Sequence, residues 1–468
     1  MARLRRPRAR LLLPAPPSAA LAGTGRPLVR RFLVLAPPSA ARARLRRPRA
    51  RLLLVALVAL VAGSLAACTS AEQPSTPVGT PATSVPVPLT VDPALAQPIT
   101  ISVLAPDAGL GAAFRQVIEG ARIAQYRFAL GGAQIHLVFA SYTDGDSDQL
   151  STAVATLLAA HPAGLVVTSA GDALTTVLTA ARQASLPVLL PYDRPAAVGD
   201  GVWLTGPSGA AIDQRIATAL AERGVLAPYL LTTGRDSLTQ LKPVRQLVIG
   251  SDFAALADQV AEAIRAGQAD SVVIAAPALI EAALTVDLQS RFGVLQPPIV
   301  LTPDALSPVF GQAIADAGVG NGIFATVGPD NSEARALSGG PAGDQAAAFF
   351  SAVRLAAADP ACSTLTTEPS CATIAPLADI PSHDAVVALV RAVEKAQSTD
   401  PGRVGAALAQ LSLSQGDGLA GPALDFTSPT ALSDTAVTTL YATTQDSGLR
   451  PTASSGKGPG LYWLRSLA

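Results

Sequence analysis

Three histidines and three cysteines in 468 residues leave little material for metal chemistry. His136, His161 and His383 are scattered without ligand spacing, so no metal site is expected. The nucleophile elbow Gly-x-Ser-x-Gly, the P-loop and His-Glu-x-x-His are all absent. Ser382, His383 and Asp384 are neighbours in sequence, whereas triad members converge from separate segments. The stretch "PDAGLGAAF" is a poor dinucleotide fingerprint. No enzyme and no cofactor is therefore expected. Aromatic residues make up only 4%, yet 49% of the chain is apolar, enough to pack a core. Acidic residues are missing from one region altogether: residues 1–67 carry 14 arginines and no acid. The remainder then has 34 − 14 = 20 basic against 34 acidic residues, a balance of −14. An acidic body argues against nucleic acid as a partner, because phosphate binding needs a basic surface.

The basic head reads as an export signal. "RLRRPRAR" at 44–51 is a charged start, and Leu52 to Ala62 is an apolar stretch of signal-peptide length. The run to Ala67 is short for a membrane span, which needs about 20 apolar residues. It ends in Leu65-Ala66-Ala67-Cys68, which resembles the lipobox of bacterial lipoproteins. That resemblance implies cleavage before Cys68, lipidation of its thiol and a membrane anchor on the extracytoplasmic face of the cell envelope. Upstream, "RLRRPRARLLL" occurs at 3–13 and again at 44–54. A repeat at uneven spacing points to a duplicated coding segment or a start codon placed early, not to a solenoid. The other two cysteines, Cys362 and Cys371, are expected to form a disulfide in an exported protein.

After this leader (1–67), residues 68–98 comprise the lipidated cysteine and a Pro/Ser/Thr-rich stretch with no regular period, expected to be a semi-rigid tether. From Ile99 the pattern changes. "ITISVLAP", "IHLVFASY", "GLVVTSA" and "PVLLPY" read as strands, separated by amphipathic segments with helical spacing. A second series begins near Thr205, with "YLLTT", "QLVIG", "SVVIAAP" and "PIVLTP" as its strands. Helices dominate from Gly343 to Leu411, and "TAVTTLYATT" and "GLYWLRSL" look like closing strands. Alternation of this kind predicts an α/β fold with parallel sheets covered on both faces.

Element order and local patterns together resemble the type I periplasmic solute-binding proteins, in their branched-chain amino-acid branch. The resemblance spans about Ile99 to Leu464. It is carried by "EGARIA" in the first helix, by "LVVTSAGDALTTVLTAARQASLPVLLPYDRP", by "SHDAVVALVRAVEKAQSTDPGRVGAALAQL" and by "GLAGPALDFTS". His383 stands where relatives have an aromatic residue. The resemblance implies two Rossmann-like lobes, 99–205 with 327–430 and 206–326 with 431–468, closing on a ligand in the cleft between them. It implies capture of a small polar ligand, an amino acid or related compound, for the membrane subunits of an ABC importer. The other reading is a degenerate cleft serving as an envelope interaction or regulatory module.

Ligands of open parallel sheets bind at the carboxyl ends of the strands. The resemblance places a ligand carboxylate at the turn holding Ser169, Gly171 and Asp172, and Asp304 as the partner of an ammonium group. Tyr192 and Asp193 follow the fourth strand, where relatives carry small residues and a threonine. These six are the candidate ligand-binding residues. Three of them have a structural alternative: Asp304 and Asp172 as helix N-caps, and Tyr192 as a half-packed rim residue. His383, outside the six, is expected to pack at a helix start, and Phe114 at a core position on its helix. The crossover between "YLLTT" and "QLVIG" is only about 12 residues, shorter than a parallel connection with a helix usually needs.

Overall fold

The computed structural model describes residues 86–95, 98–106, 114–169, 172–195, 197–234, 238–319, 322–363, 365, 370–451 and 460–465. Cys68 and Gly171 lie outside these residues. The first sheet is built from β1 (Ile99–Pro106), β2 (Ile135–Tyr142), β3 (Leu165–Val167), β4 (Val188–Leu190) and β5 (Val202–Leu204). Its order is β2-β1-β3-β4-β5 and every pairing is parallel. Helices α1 (Arg115–Leu130), α2 (Ser147–Ala159) and α3 (Asp172–Gln183) make the crossovers. Seven of the eight residues of β1 are buried, as a strand covered on both faces requires. β5 carries no alternation and was not expected from sequence as a strand.

The second sheet follows α4 (Gly209–Glu222). Its strands β6 (Pro228–Thr232), β7 (Arg245–Val248), β8 (Ser271–Ala275), β9 (Ile299–Leu301) and β10 (Phe324–Pro329) are parallel, with α5 (Phe253–Arg265), α6 (Ala278–Phe292) and α7 (Pro308–Ala317) between them. β13 (Val437–Thr443) and β14 (Tyr462–Arg465) return antiparallel, giving the order β14-β13-β10-β9-β8-β6-β7. Among its described residues the short crossover from β6 to β7 holds no helix. Asp213 on α4 holds it instead, accepting from the backbone N–H groups of Thr239 and Gln240 at 2.8 and 2.9 Å. Without a covering helix, β7 is an exposed edge, and Val248 is 73% accessible.

Between β10 and β13 the chain returns to the first sheet through α8 (Gly340–Ala358), α9 (Cys371–Ile374), α10 (Ile380–Ala396) and α11 (Pro401–Leu408), then a small hairpin of β11 (Ser412–Leu413) and β12 (Leu424–Asp425). α10 is buried on nearly every side, and residues from Ala385 to Val393 join the core beneath β1 and α1. Such an element reads as hydrophobic all round rather than as a stripe.

Residues 86–95, read from sequence as part of the tether, pack against the first lobe. Leu89 and Leu95 are 5% and 8% exposed and belong to the core of the first lobe. The Arg127 guanidinium donates to the Val87 carbonyl at 2.9 Å, and Arg391 donates to that of Thr90 at 2.9 Å. Leu89 and Leu95 thus dock this segment, although the stretch around them is polar and without period.

Candidate functional site

The loops after β4, β9 and β10, the start of α10 and the hairpin loop before β12 surround a cavity of about 50 Å³. Its position is dictated by topology: these are carboxyl ends of parallel strands and amino ends of helices. Seven of the lining residues are prolines, among them Pro191, Pro303, Pro308 and Pro381. Five of them, Pro191, Pro303, Pro308, Pro329 and Pro381, remove a backbone N–H from a strand end or a first helical turn. The helix starts are also closed by their own side chains. Ser307 caps α7 and accepts from the Val309 amide at 3.2 Å. Asp379 caps α10 and accepts from the Ser382 amide at 3.1 Å.

Tyr192, half-buried after β4, donates its hydroxyl to Asp379. Burial raises the Asp379 carboxyl to about 7, although hydrogen bonds from Tyr192 and Ser382 and the nearby Arg450 charge oppose the rise. Burial and the Asp379 charge push the Tyr192 phenol well above its ordinary value.

The neighbours of Tyr192 point elsewhere. The Asp193 carboxylate accepts the Ser169 backbone N–H at 2.6 Å, with both residues buried. The Arg194 guanidinium reaches across to Asp304, with Nη2 3.3 Å from Oδ2 and the side chains 6% and 4% exposed. Thr302 also donates to that oxygen at 3.3 Å. Arg194 lines the cavity, whereas Asp304 stands behind it and is not part of the lining. Asp304 lies in the single turn Pro303–Leu306 and does not cap α7; Ser307 takes that role because Pro308 starts the helix one residue later. Asp172 opens α3. Phe114 is 8% exposed and packs in the first core.

The far wall is set by residues that the sequence reading did not select. Asp384, on the cavity face of α10, accepts the backbone N–H groups of Ala420 and Gly421, each at 2.8 Å. His383 beside it is fully buried between Asp384 and Arg127. Arg450 salt-bridges Glu333 at 2.8 Å and donates to the carbonyls of Pro376 and Ala378. The signal for Asp379 was present in "DIPSHD", an acid placed for capping before a proline-started helix. Arg450 comes from the last segment of the chain, and nothing local announces it. Among the described residues no group of three or more His, Cys, Asp or Glu side chains converges as a metal site would need.

No protein-family model matches the sequence, and no curated protein matches it. Solved structures do match. A periplasmic binding protein type 1 from Bordetella pertussis aligns at 15% identity with a TM-score of 0.57, over 79% of this chain and 100% of that one. An ABC-transporter solute-binding protein from R. palustris, in complex with 4-hydroxybenzoate, aligns at 14% identity and TM-score 0.55, over 79% and 96%. The branched-chain amino acid transporter substrate-binding protein from Streptococcus pneumoniae, in complex with isoleucine, aligns at 16% identity and TM-score 0.53, over 79% and 100%. At these identities the likeness is one of fold. With two α/β lobes and a cleft between them, the chain has the fold of the type I periplasmic binding proteins.

Proposed function

We propose that the protein is an extracytoplasmic solute-binding protein, anchored through lipidated Cys68, that captures a small polar solute for an ABC importer. It binds and does not catalyse. The observation that carries this reading is the origin of the groups that line the cavity: Tyr192, Arg194 and Thr205 come from the first lobe, and Leu306, Ser307 and Pro308 from the second. A solute held there contacts both lobes, so closure and binding are one equilibrium. We assign the lobes as 99–205 with 327–430 and 206–326 with 431–468; β10, which runs to Pro329 in the second sheet, moves one crossing point three residues later. The relatives of known structure include proteins crystallised with isoleucine and with 4-hydroxybenzoate. Both are small solutes of the class proposed. Ser169, Gly171, Asp172, Tyr192, Asp193 and Asp304 are assigned to the binding region. Cys362 and Cys371, with Cα atoms 6.1 Å apart, are assigned as a disulfide.

One observation favours the second reading, an interaction module with a degenerate cleft: the space at the strand ends is about 50 Å³, room for a few waters, and the larger groove of about 500 Å³ that shares Leu306, Ser307, Pro308, Asn331 and Arg450 with it includes none of the six candidate residues. A thermal-shift screen of amino acids, amides and polyols separates the two. A solute at a hundred times its Kd raises stability by about 2.7 kcal/mol. A flat response to every solute leaves the interaction module. Membrane fractionation of the parent and of Cys68→Ser tests the anchor: the variant should remain an unprocessed, unacylated precursor, and normal acylation would contradict the assignment.

A further inference from the structure

The two side chains that follow Tyr192 carry opposite charges and end on opposite lobes. The Asp193 carboxylate occupies the Ser169 backbone N–H at the end of β3, at 2.6 Å. The Arg194 guanidinium occupies the Asp304 carboxylate beyond the end of β9, at 3.3 Å. An N–H donor at one strand end and a carboxylate at the facing one are the two groups that would bind the two ends of a zwitterion. Here the protein's own chain satisfies both.

The rest of the cavity wall is balanced in the same way. Arg450 is compensated by Glu333, and Asp384 by two backbone N–H groups. Five prolines withhold backbone donors from the strand and helix ends where an anion would otherwise settle. Asp379, the other acid of the lining, is held by Tyr192 and Ser382. A ligand with net charge, or with separated charges, would thus be desolvated where each charged group of the wall is already engaged within the protein, which is costly. The lining still offers uncharged hydrogen-bonding groups: the Thr205 and Ser307 hydroxyls and the Asn331 amide.

We propose that Asp193 and Arg194 are a built-in substitute for a zwitterionic ligand, and that the cleft takes small uncharged hydrogen-bonding solutes. The inference rests on the solute-binding reading and names its ligand class. The pair acts as a specificity determinant by filling the charged subsites, and it holds the lobes together before any solute arrives.

The test is calorimetry on the intact mature protein with acetamide, urea and glycerol as uncharged probes and leucine and arginine as zwitterionic ones. The parent should bind at least one uncharged probe and neither amino acid. The double substitution Asp193→Ala and Arg194→Ala vacates both subsites and should gain amino-acid affinity by at least tenfold. Leucine or arginine binding to the parent, with affinity unchanged or lowered in the double variant, overturns the inference but keeps the solute-binding reading. Failure of every probe, and of a broad solute library, on both proteins overturns that reading as well. Should the double variant not fold, Arg194→Gln serves instead, read by spin-label distances between the lobes. The parent should be closed without solute and the variant should be wider; equal distances contradict the proposal.

Discussion

Nε2 of His383 lies 3.1 Å from Nη1 of Arg127, deep beneath the cleft wall. Arginine has donors only, so Nε2 must accept, and the ring proton sits on Nδ1. From there it is given to Asp384 Oδ1 at 2.8 Å. Asp384 in turn holds the Gly421 amide, one residue before the cavity-lining Pro422. The buried relay thus fixes the position of the wall.

Burial keeps the His383 pKa below its ordinary value, and the Arg127 charge adds to this while Asp384 opposes it. The ring should stay neutral, as the Nδ1–H tautomer, in nitrogen NMR spectra taken through the usual imidazole range near pH 6.5. A depressed histidine pKa means that the unfolded chain binds the extra proton first. Stability should therefore fall as pH drops below about 6.5. His383→Phe, which supplies the aromatic usual in relatives, should cost about 1–3 kcal/mol by leaving Arg127 and Asp384 short of a partner. A ring that protonates near 6.5 in the folded protein would contradict the relay.

Asp379 slopes the other way. Its carboxyl is raised from 3.8 to about 7, so the folded state holds a proton that the unfolded state has released across that window. Stability should decline as pH rises from about 4 to 7, by at most about 1.4 kcal/mol per unit, and then level off. Asp379→Asn keeps the cap on α10 through its one amide oxygen and turns its NH2 towards Tyr192, whose hydroxyl then accepts instead of donating. It should flatten that slope and be no less stable than the parent at pH 8. Denaturant melts at several pH values check this, and an unchanged slope in the variant would refute it.

Gly120 on α1 is tied to the same residue. A Cβ there would collide with the Asp379 side chain and backbone, and would stand 3.0 Å from Cβ of Ser382. Gly120→Ala should therefore cost about 1–3 kcal/mol by overpacking, against the usual gain from alanine in a helix. It should also displace Asp379 from Tyr192. A urea melt showing stabilisation would mean that α1 and α10 separate without cost.

Much of the architecture was legible because periodicity reports burial. β1 at Ile99–Pro106 matches the segment read from sequence, since Ile99, Ile101 and Val103 alternate with Thr100 and Ser102 at the period of a strand. β5 and the β11–β12 hairpin were not legible: two or three residues cannot show a period. The strand ends are where the cavity lies, and of the residues selected from sequence Tyr192 lines it, whereas Ser169, Asp193 and Asp304 do not. What they contact was not legible. Asp304 reads equally as a cap or as an ammonium partner, and its pairing with Arg194 depends on 110 residues of intervening chain. Arg127 gave no signal at all, because a charged residue in an amphipathic helix normally faces water.

Cys362 and Cys371 flank a short loop against α1, and Arg122 Nη1 lies 2.6 and 3.2 Å from the two sulfurs. A bridge across nine residues of separation is worth about 2–3 kcal/mol in the chain-entropy model. Replacing both cysteines by serine should lower the denaturant midpoint by that amount, and the oxidised parent should show no alkylatable thiol at either position. Two free thiols in the folded, exported protein would remove the assignment.

The docked end of the tether gives the last prediction. Leu89 and Leu95 are buried in the first core. The Leu89 amide donates to the Arg127 carbonyl at 2.9 Å, and the Asp92 amide donates to Glu394 at 2.8 Å. Each buried leucine cut back to alanine typically costs 2–5 kcal/mol. A chain beginning at Pro86 retains these contacts and should match the mature protein in a urea melt. One beginning at Pro98 should lose at least the contribution of Leu89, about 2 kcal/mol or more, and with it the partner of the Arg127 Nε–H. Through Arg127 that loss reaches His383 and Asp384, so the shorter chain should also show His383 protonating at higher pH than in the longer one. Equal midpoints and equal histidine titrations for the two chains would mean that residues 86–95 are spacer after all.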